Sequence, residues 1–133
     1  MTLYIGQIAR KIWPTSLTAP PVAYHSQVLE GFERVPIFSQ WACPESARGT
    51  VIATYGITGS LENQWILEIL GRKAHARNLA VVLFDWRGHG KTGQMSPVLT
   101  SDGIYEGEDY VALAAAAKRL GCPPPYWFLG YSL

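Results

Sequence analysis

An uninterrupted apolar run changes into a polar, glycine-rich loop at residues 79–92, which read LAVVLFDWRGHGKT. Apolar residues without alternating polar ones are typical of a strand covered on both faces, as in the middle of a parallel sheet. The polar loop continues to Pro97 and therefore lies beyond one end of that strand. This stretch predicts a central strand, and the sequence on either side of it supplies elements that can pack around it.

The flanking sequence alternates between short apolar runs and amphipathic stretches. After Ser60, a predicted N-cap, apolar side chains recur at spacings of three and four, which predicts a helix with one buried face. A second amphipathic stretch begins with acidic residues, ends with basic residues and is followed by Gly121, as is typical of a helix. The predicted strands cover residues 24–30, 34–42, 50–55, 79–84 and 126–129, and the predicted helices cover residues 60–77 and 104–120.

The order strand, helix, strand, helix, strand from residue 50 onwards indicates right-handed crossovers and parallel pairing. The two earlier strands are expected to add an antiparallel edge. The predicted class is therefore α/β, a mostly parallel sheet with helices on both faces. Residues 1–22 contain three prolines and are expected to form an irregular lead-in to a single domain over residues 23–133.

Composition excludes several classes of protein. Of the 133 residues, 48% are hydrophobic and 16% charged, with a net charge of +1, so a core can form and no basic surface for nucleic acid is expected. The longest apolar run is too short for a membrane span, and the N-terminus lacks a signal-peptide core. Cys43 and Cys122 have neither metal-binding nor disulfide-framework spacing, which indicates reduced thiols and favours a cytoplasmic location.

Three of the predicted strands are followed by loops that indicate a catalytic site, because the active groups of open α/β sheets gather beyond the carboxyl ends of the strands. These loops are residues 55–60 (YGITGS), 85–92 (DWRGHGKT) and 130–133 (GYSL). The last matches four of the five positions of G-x-S-x-G, the nucleophile elbow, in which a serine lies on a tight strand-to-helix turn. A lone G-x-S is equally consistent with a buried or capping serine, but its position after an apolar strand favours Ser132 as a nucleophile.

The loop after residue 84 allows a rival interpretation, because Gly90, Lys91 and Thr92 could end a phosphate-binding P-loop. That motif needs a glycine five positions before Gly90, where this sequence has Asp85. Arg87 would also crowd a backbone that has to wrap around phosphates. The sequence therefore disfavours nucleotide binding.

The three loops, in this order and spacing, resemble those of the α/β-hydrolase superfamily, and the YheT-like hydrolases in particular. In that group the first loop commonly reads H-G-L-T-G-S and the middle strand ends in D-x-R-G-H-G. The resemblance covers about residues 49–133. It implies the N-terminal half of an α/β-hydrolase fold and a serine esterase that acts on small-molecule esters, with amides or thioesters as alternative substrates, and without a metal or organic cofactor.

The resemblance also implies roles for individual residues. Ser132 corresponds to the nucleophile, and the backbone N–H groups of Ile57 and Leu133 correspond to the oxyanion donors. Tyr55 stands where the family usually has histidine. The motif that contains Asp85, Arg87 and His89 is structural in the family, so His89 is not expected to be the catalytic base.

The order of the catalytic triad limits what these residues can do by themselves. In this fold the nucleophile precedes the acid and the histidine along the chain, so both partners of Ser132 have to follow it. We therefore expect the chain to be the first portion of a hydrolase, truncated at the elbow and inactive alone, since a serine without a base is a poor nucleophile. The alternative is a non-catalytic hydrolase-like protein that serves in binding or interaction.

Overall fold

The computed structural model describes residues 19–56, 59–96, 98–101 and 103–131. The strands are β1 (His25–Glu30), β2 (Pro36–Ala42), β3 (Thr50–Thr54), β4 (Ala80–Phe84) and β5 (Tyr126–Gly130). The helices are α1 (Trp65–Ala76), α2 (Gly90–Met95) and α3 (Ile104–Arg119), and short 3-10 turns cover Phe32–Arg34 and Leu61–Asn63. The predicted lead-in at residues 1–22 lies mostly outside the described residues.

All five strands form one sheet in the order β1-β2-β4-β3-β5. β1 and β2 pair antiparallel, and β2 pairs antiparallel with β4. β4, β3 and β5 then run parallel, with Ala53 of β3 opposite Leu83 on one side and Leu129 on the other. The predicted parallel core with an antiparallel N-terminal edge is thus confirmed. The parallel pairing requires crossover connections, which α1 and α3 supply.

Alternate residues of β3 and β4 point to opposite faces of the sheet, and each face is covered by a helix. Val51, Ala53, Val81 and Leu83 pack with Leu67 and Ala74 of α1. On the other face, Ile52, Val82 and Phe84 pack with Leu113, Ala116 and Ala117 of α3. Both strands are buried along their whole length, which is why their sequence shows no polar alternation. Helices on both faces, as predicted, are confirmed.

Two predicted elements differ from the structure. The helix predicted over 60–77 is divided, because Gln64 leaves the helical region (φ −104°, ψ 86°) between the 3-10 turn at Leu61–Asn63 and the start of α1. The predicted loop over 85–97 contains the six-residue helix α2. Both differences lie close to residues that bond to the Asp85 side chain: the Leu61 N–H in the 3-10 turn and the Lys91 N–H in α2. The spacing of apolar residues along a helix does not encode such contacts.

The predicted helix ends are confirmed by backbone geometry. Asn78 follows α1 with φ 63°, and Gly121 follows α3 with φ 91°. Both are left-handed conformations, which Asn and Gly tolerate better than other residues. β5 lies at one edge of the described sheet, and Trp127, Phe128 and Leu129 are between 37% and 48% exposed there. None of the helices in the described part of the chain is long and apolar enough to cross a membrane.

Candidate active site

The residues predicted to take part in catalysis lie outside the described part of the chain. Ile57 falls in the gap at residues 57–58, and Ser132 and Leu133 follow the last described residue, Tyr131. Their roles as oxyanion donors and nucleophile therefore stay predictions. The surrounding framework is described, and it can be built from the strand ends that carry the three loops.

The carboxyl ends of β3, β4 and β5 meet at one edge of the sheet because the three strands are parallel and in register. Thr54 lies opposite Gly130, and the backbone N–H of Tyr131 donates to the Thr54 carbonyl at 3.3 Å. Tyr55 and Asp85, the first residues after β3 and β4, lie at this same edge. Gly130 and Tyr131 therefore lie next to the start of the loop that begins with Tyr55.

Asp85 is the centre of the polar contacts at this edge, and its side chain is almost fully buried. Oδ1 accepts a hydrogen bond from the Tyr55 hydroxyl at 2.6 Å and another from the Leu61 backbone N–H at 2.9 Å. Oδ2 accepts from the Lys91 backbone N–H at 3.1 Å. One carboxylate thus joins the β3 loop, the 3-10 turn and helix α2, which agrees with a structural role for Asp85.

Tyr55 is fully buried between the same elements. Burial first, and then the hydrogen bond to Asp85, raise the pKa of its hydroxyl far above the ordinary value for tyrosine. The hydroxyl is therefore protonated at neutral pH and can donate to Asp85. The Tyr55 carbonyl accepts a 2.5 Å hydrogen bond from the indole Nε1 of Trp86, so both ends of this residue are held.

The segment that suggested a P-loop packs inward against Asp85. Gly90 has φ 51°, and a Cβ atom there would lie 2.5 Å from the Asp85 carboxyl carbon. The Thr92 hydroxyl is fully buried, donates to the Asp85 carbonyl at 2.9 Å and accepts from the Phe38 backbone N–H at 2.8 Å. Gly90 and Thr92 of this segment are thus used for packing and internal hydrogen bonds.

A buried ion pair holds the same loop from the other side of the sheet. Arg87 donates from Nε to Asp109 Oδ2 at 2.7 Å and from Nη2 to Oδ1 at 2.8 Å, and both side chains are at most 2% exposed. Asp109 also accepts from the Phe32 backbone N–H at 2.8 Å. The pair therefore ties the β4 loop to α3 and to the turn between β1 and β2.

The role of Asp109 was not predicted from the sequence, in which it counted only as one of the acidic residues at the start of the second helix. The signal was present in the helical spacing. Asp109 lies four, seven and eight residues before Leu113, Ala116 and Ala117, which are all buried, so it belongs to the same apolar face. A carboxylate on such a face needs a buried partner, and Arg87 is that partner.

The three histidines of the sequence lie apart from one another. His25 stacks on Trp41 of β2, with ring centroids 4.7 Å apart, and His75 lies in the last turn of α1. His89 lies closer to the candidate site, 6.3 Å from the Tyr55 ring, with Nδ1 3.2 Å from the Arg87 carbonyl. Among the described residues no group of three or more His, Cys, Asp or Glu side chains is arranged to hold a metal.

Comparison with known proteins agrees with this architecture. Over its whole length the chain is 54% identical to a Synechocystis sp. protein named as a candidate esterase, slr0264, and it covers 36% of that protein. Its structure superposes on the Pyrococcus furiosus esterase Pf2001 with a TM-score of 0.70, at 21% identity, over 88% of this chain and 44% of the esterase. The chain has the N-terminal part of an α/β-hydrolase fold.

A second solved structure supports the same fold. An alpha-beta serine hydrolase homologue from Coxiella burnetii matches with a TM-score of 0.67, at 19% identity, over 86% of this chain and 54% of that protein. No family model matches the sequence. The chain spans about a third of the length of the curated relative it matches.

Proposed function

We propose that these residues form the first part of a longer YheT-like serine hydrolase that cleaves small-molecule carboxylic esters. The observation that carries the proposal is the parallel pairing of β5 with β3, which brings Gly130 and Tyr131, the two residues before Ser132 in the sequence, beside Thr54 and Tyr55 at the carboxyl edge. The name of the Synechocystis relative and its identity over the whole chain support the same chemistry. Amides and thioesters are related substrates, and the proposed location is the cytoplasm.

The proposed reaction proceeds through an acyl-serine intermediate. The Ser132 hydroxyl attacks the ester carbonyl while a histidine from the rest of the whole protein accepts its proton. The backbone N–H groups of Ile57 and Leu133 stabilise the oxyanion, a contribution for which loss of one donor typically costs about 100-fold to 1000-fold in kcat. The histidine then protonates the departing alcohol, and water attacks the acyl-serine to release the acid and free Ser132.

The test is covalent labelling of the whole protein with a fluorophosphonate probe, followed by peptide mass spectrometry. We expect the adduct on Ser132, none in Ser132→Ala, and unchanged labelling in Ser26→Ala, which removes an exposed hydroxyl from β1. Residues 1–133 alone should label only at background rate, because the proposed base is not among their three histidines. An ester-cleaving preparation that labels at another serine, or at none, contradicts the proposal.

A further inference from the structure

The loop that would carry the first oxyanion donor is held at both ends by one atom. Asp85 Oδ1 accepts from the Tyr55 hydroxyl, immediately before the loop, and from the Leu61 backbone N–H, immediately after it. The two distances are 2.6 and 2.9 Å. Tyr55 and Leu61, on the two sides of the loop, therefore share one anchor, and a shift of the Asp85 carboxylate affects both.

Gly59 also packs directly on the Tyr55 ring. A Cβ atom at Gly59 would lie 2.7 Å from the ring and 2.6 Å from the Gln64 amide nitrogen, so only glycine allows this approach. Within the loop, the Gly59 N–H donates to the Gly56 carbonyl at 3.3 Å. The ring is thus a support for Gly59, and its hydroxyl fastens the ring to Asp85.

The anchor itself has little freedom. Asp85 is 2% exposed, and its second oxygen accepts from the Lys91 N–H. Gly90 leaves no room for a side chain beside the carboxylate. From the opposite side, the Trp86 indole holds the Tyr55 carbonyl. A buried polar network whose members are all bonded is rigid, which is what a preorganised donor requires of its support.

We propose that Tyr55 and Asp85 are positioning residues that hold the oxyanion loop in its catalytic conformation. This inference rests on the proposed function, because it assumes that Ile57 donates to the oxyanion. Their proposed action is through the loop, since both side chains are buried in the protein. An oxyanion donor acts mainly in the transition state, so a displaced loop lowers kcat and leaves KM nearly unchanged. A displacement of about 1 Å can cost roughly 100-fold.

The experiment compares wild type, Tyr55→Phe, Tyr55→His and the matched control Tyr24→Phe in the whole protein. The Tyr24 hydroxyl is buried and has no hydrogen-bond partner among the described residues, so its removal deletes the same atom without touching the loop. Hydrolysis of p-nitrophenyl butyrate gives kcat and KM, and fluorophosphonate titration counts active sites. Thermal melting shows whether each variant is folded.

We expect Tyr55→Phe to lose about 10-fold to 100-fold in kcat per titrated site at nearly constant KM. Tyr55→His should recover part of that loss, because an imidazole N–H can also donate to Asp85. Tyr24→Phe should match wild type. If Tyr55→Phe does not fold, Trp86→Phe loosens the Tyr55 carbonyl instead and should give a smaller kcat loss at the same KM.

The outcomes separate this inference from the proposed function. If wild type does not label at Ser132, the proposed function fails. If wild type labels and turns over but the folded Tyr55→Phe keeps kcat within two-fold, the positioning role alone is wrong. The positioning role is also wrong if Tyr55→Phe changes KM and not kcat, or if Tyr24→Phe loses as much kcat as Tyr55→Phe. Where Trp86→Phe replaces Tyr55→Phe, its kcat and KM are judged in the same way.

Discussion

Replacing Asp109 by asparagine should destabilise the protein strongly. The carboxylate accepts three hydrogen bonds, at 2.7 and 2.8 Å from Arg87 and at 2.8 Å from the Phe32 N–H. An amide of the same shape offers one acceptor oxygen and leaves the buried Arg87 guanidinium without a counter-charge. Removing one partner of a buried pair costs about 3–5 kcal/mol. Because domains of this size are stable by about 5–15 kcal/mol, about a fifth or more of the total stability would be lost.

Urea unfolding followed by tryptophan fluorescence measures this loss, since the sequence has five tryptophans. For a slope of about 2 kcal/mol per molar urea, the midpoint of Asp109→Asn should fall by roughly 2 M. The matched control is Glu108→Gln, an exposed carboxylate on the preceding residue of the same helix, which should change stability by at most about 0.5 kcal/mol. Equal effects of the two substitutions would refute the assigned role of the Arg87–Asp109 pair.

Two further predictions concern Gly90 and the cysteines. Gly90→Ala should lower the melting temperature, because Gly90 has φ 51° and the new Cβ would lie 2.5 Å from the Asp85 carboxyl. The control Gly107→Ala has open space on α3 and should raise the melting temperature slightly. The reverse order of melting temperatures would contradict the geometry. Burial, then Cys43, raises the pKa of the Cys122 thiol from 9.0 to about 12. Iodoacetamide at pH 8 should therefore modify Cys43 well before Cys122 in the native protein, and both equally in urea; equal native rates would contradict this. As the pH rises, the Cys122 thiol ionises at a lower pH in the unfolded state than in the folded state. The stability that the buried neutral thiol contributes is therefore present below pH 9 and is lost as the pH rises towards 12.

The element order and the sheet could be predicted from local patterns. The apolar run at 79–84 has no polar alternation because β4 is buried on both faces, and the helix ends at Asn78 and Gly121 follow from the backbone freedom of those residues. These are properties of a few consecutive residues, which a sequence displays directly. The resemblance of the three loops added the expected roles of Ile57, Ser132 and Leu133, and those roles stay predictions.

The contacts of Asp85 and Asp109 were decided only by the tertiary structure. Asp85 meets Tyr55 across 30 positions of sequence, and Asp109 meets Phe32 across 77. The division of the predicted first helix at Gln64 and the short helix α2 occur where the chain adapts to Asp85. Neither the spacing of apolar residues nor a motif specifies which buried donors a carboxylate will find, because that choice depends on strands and helices that become neighbours only when the sheet forms.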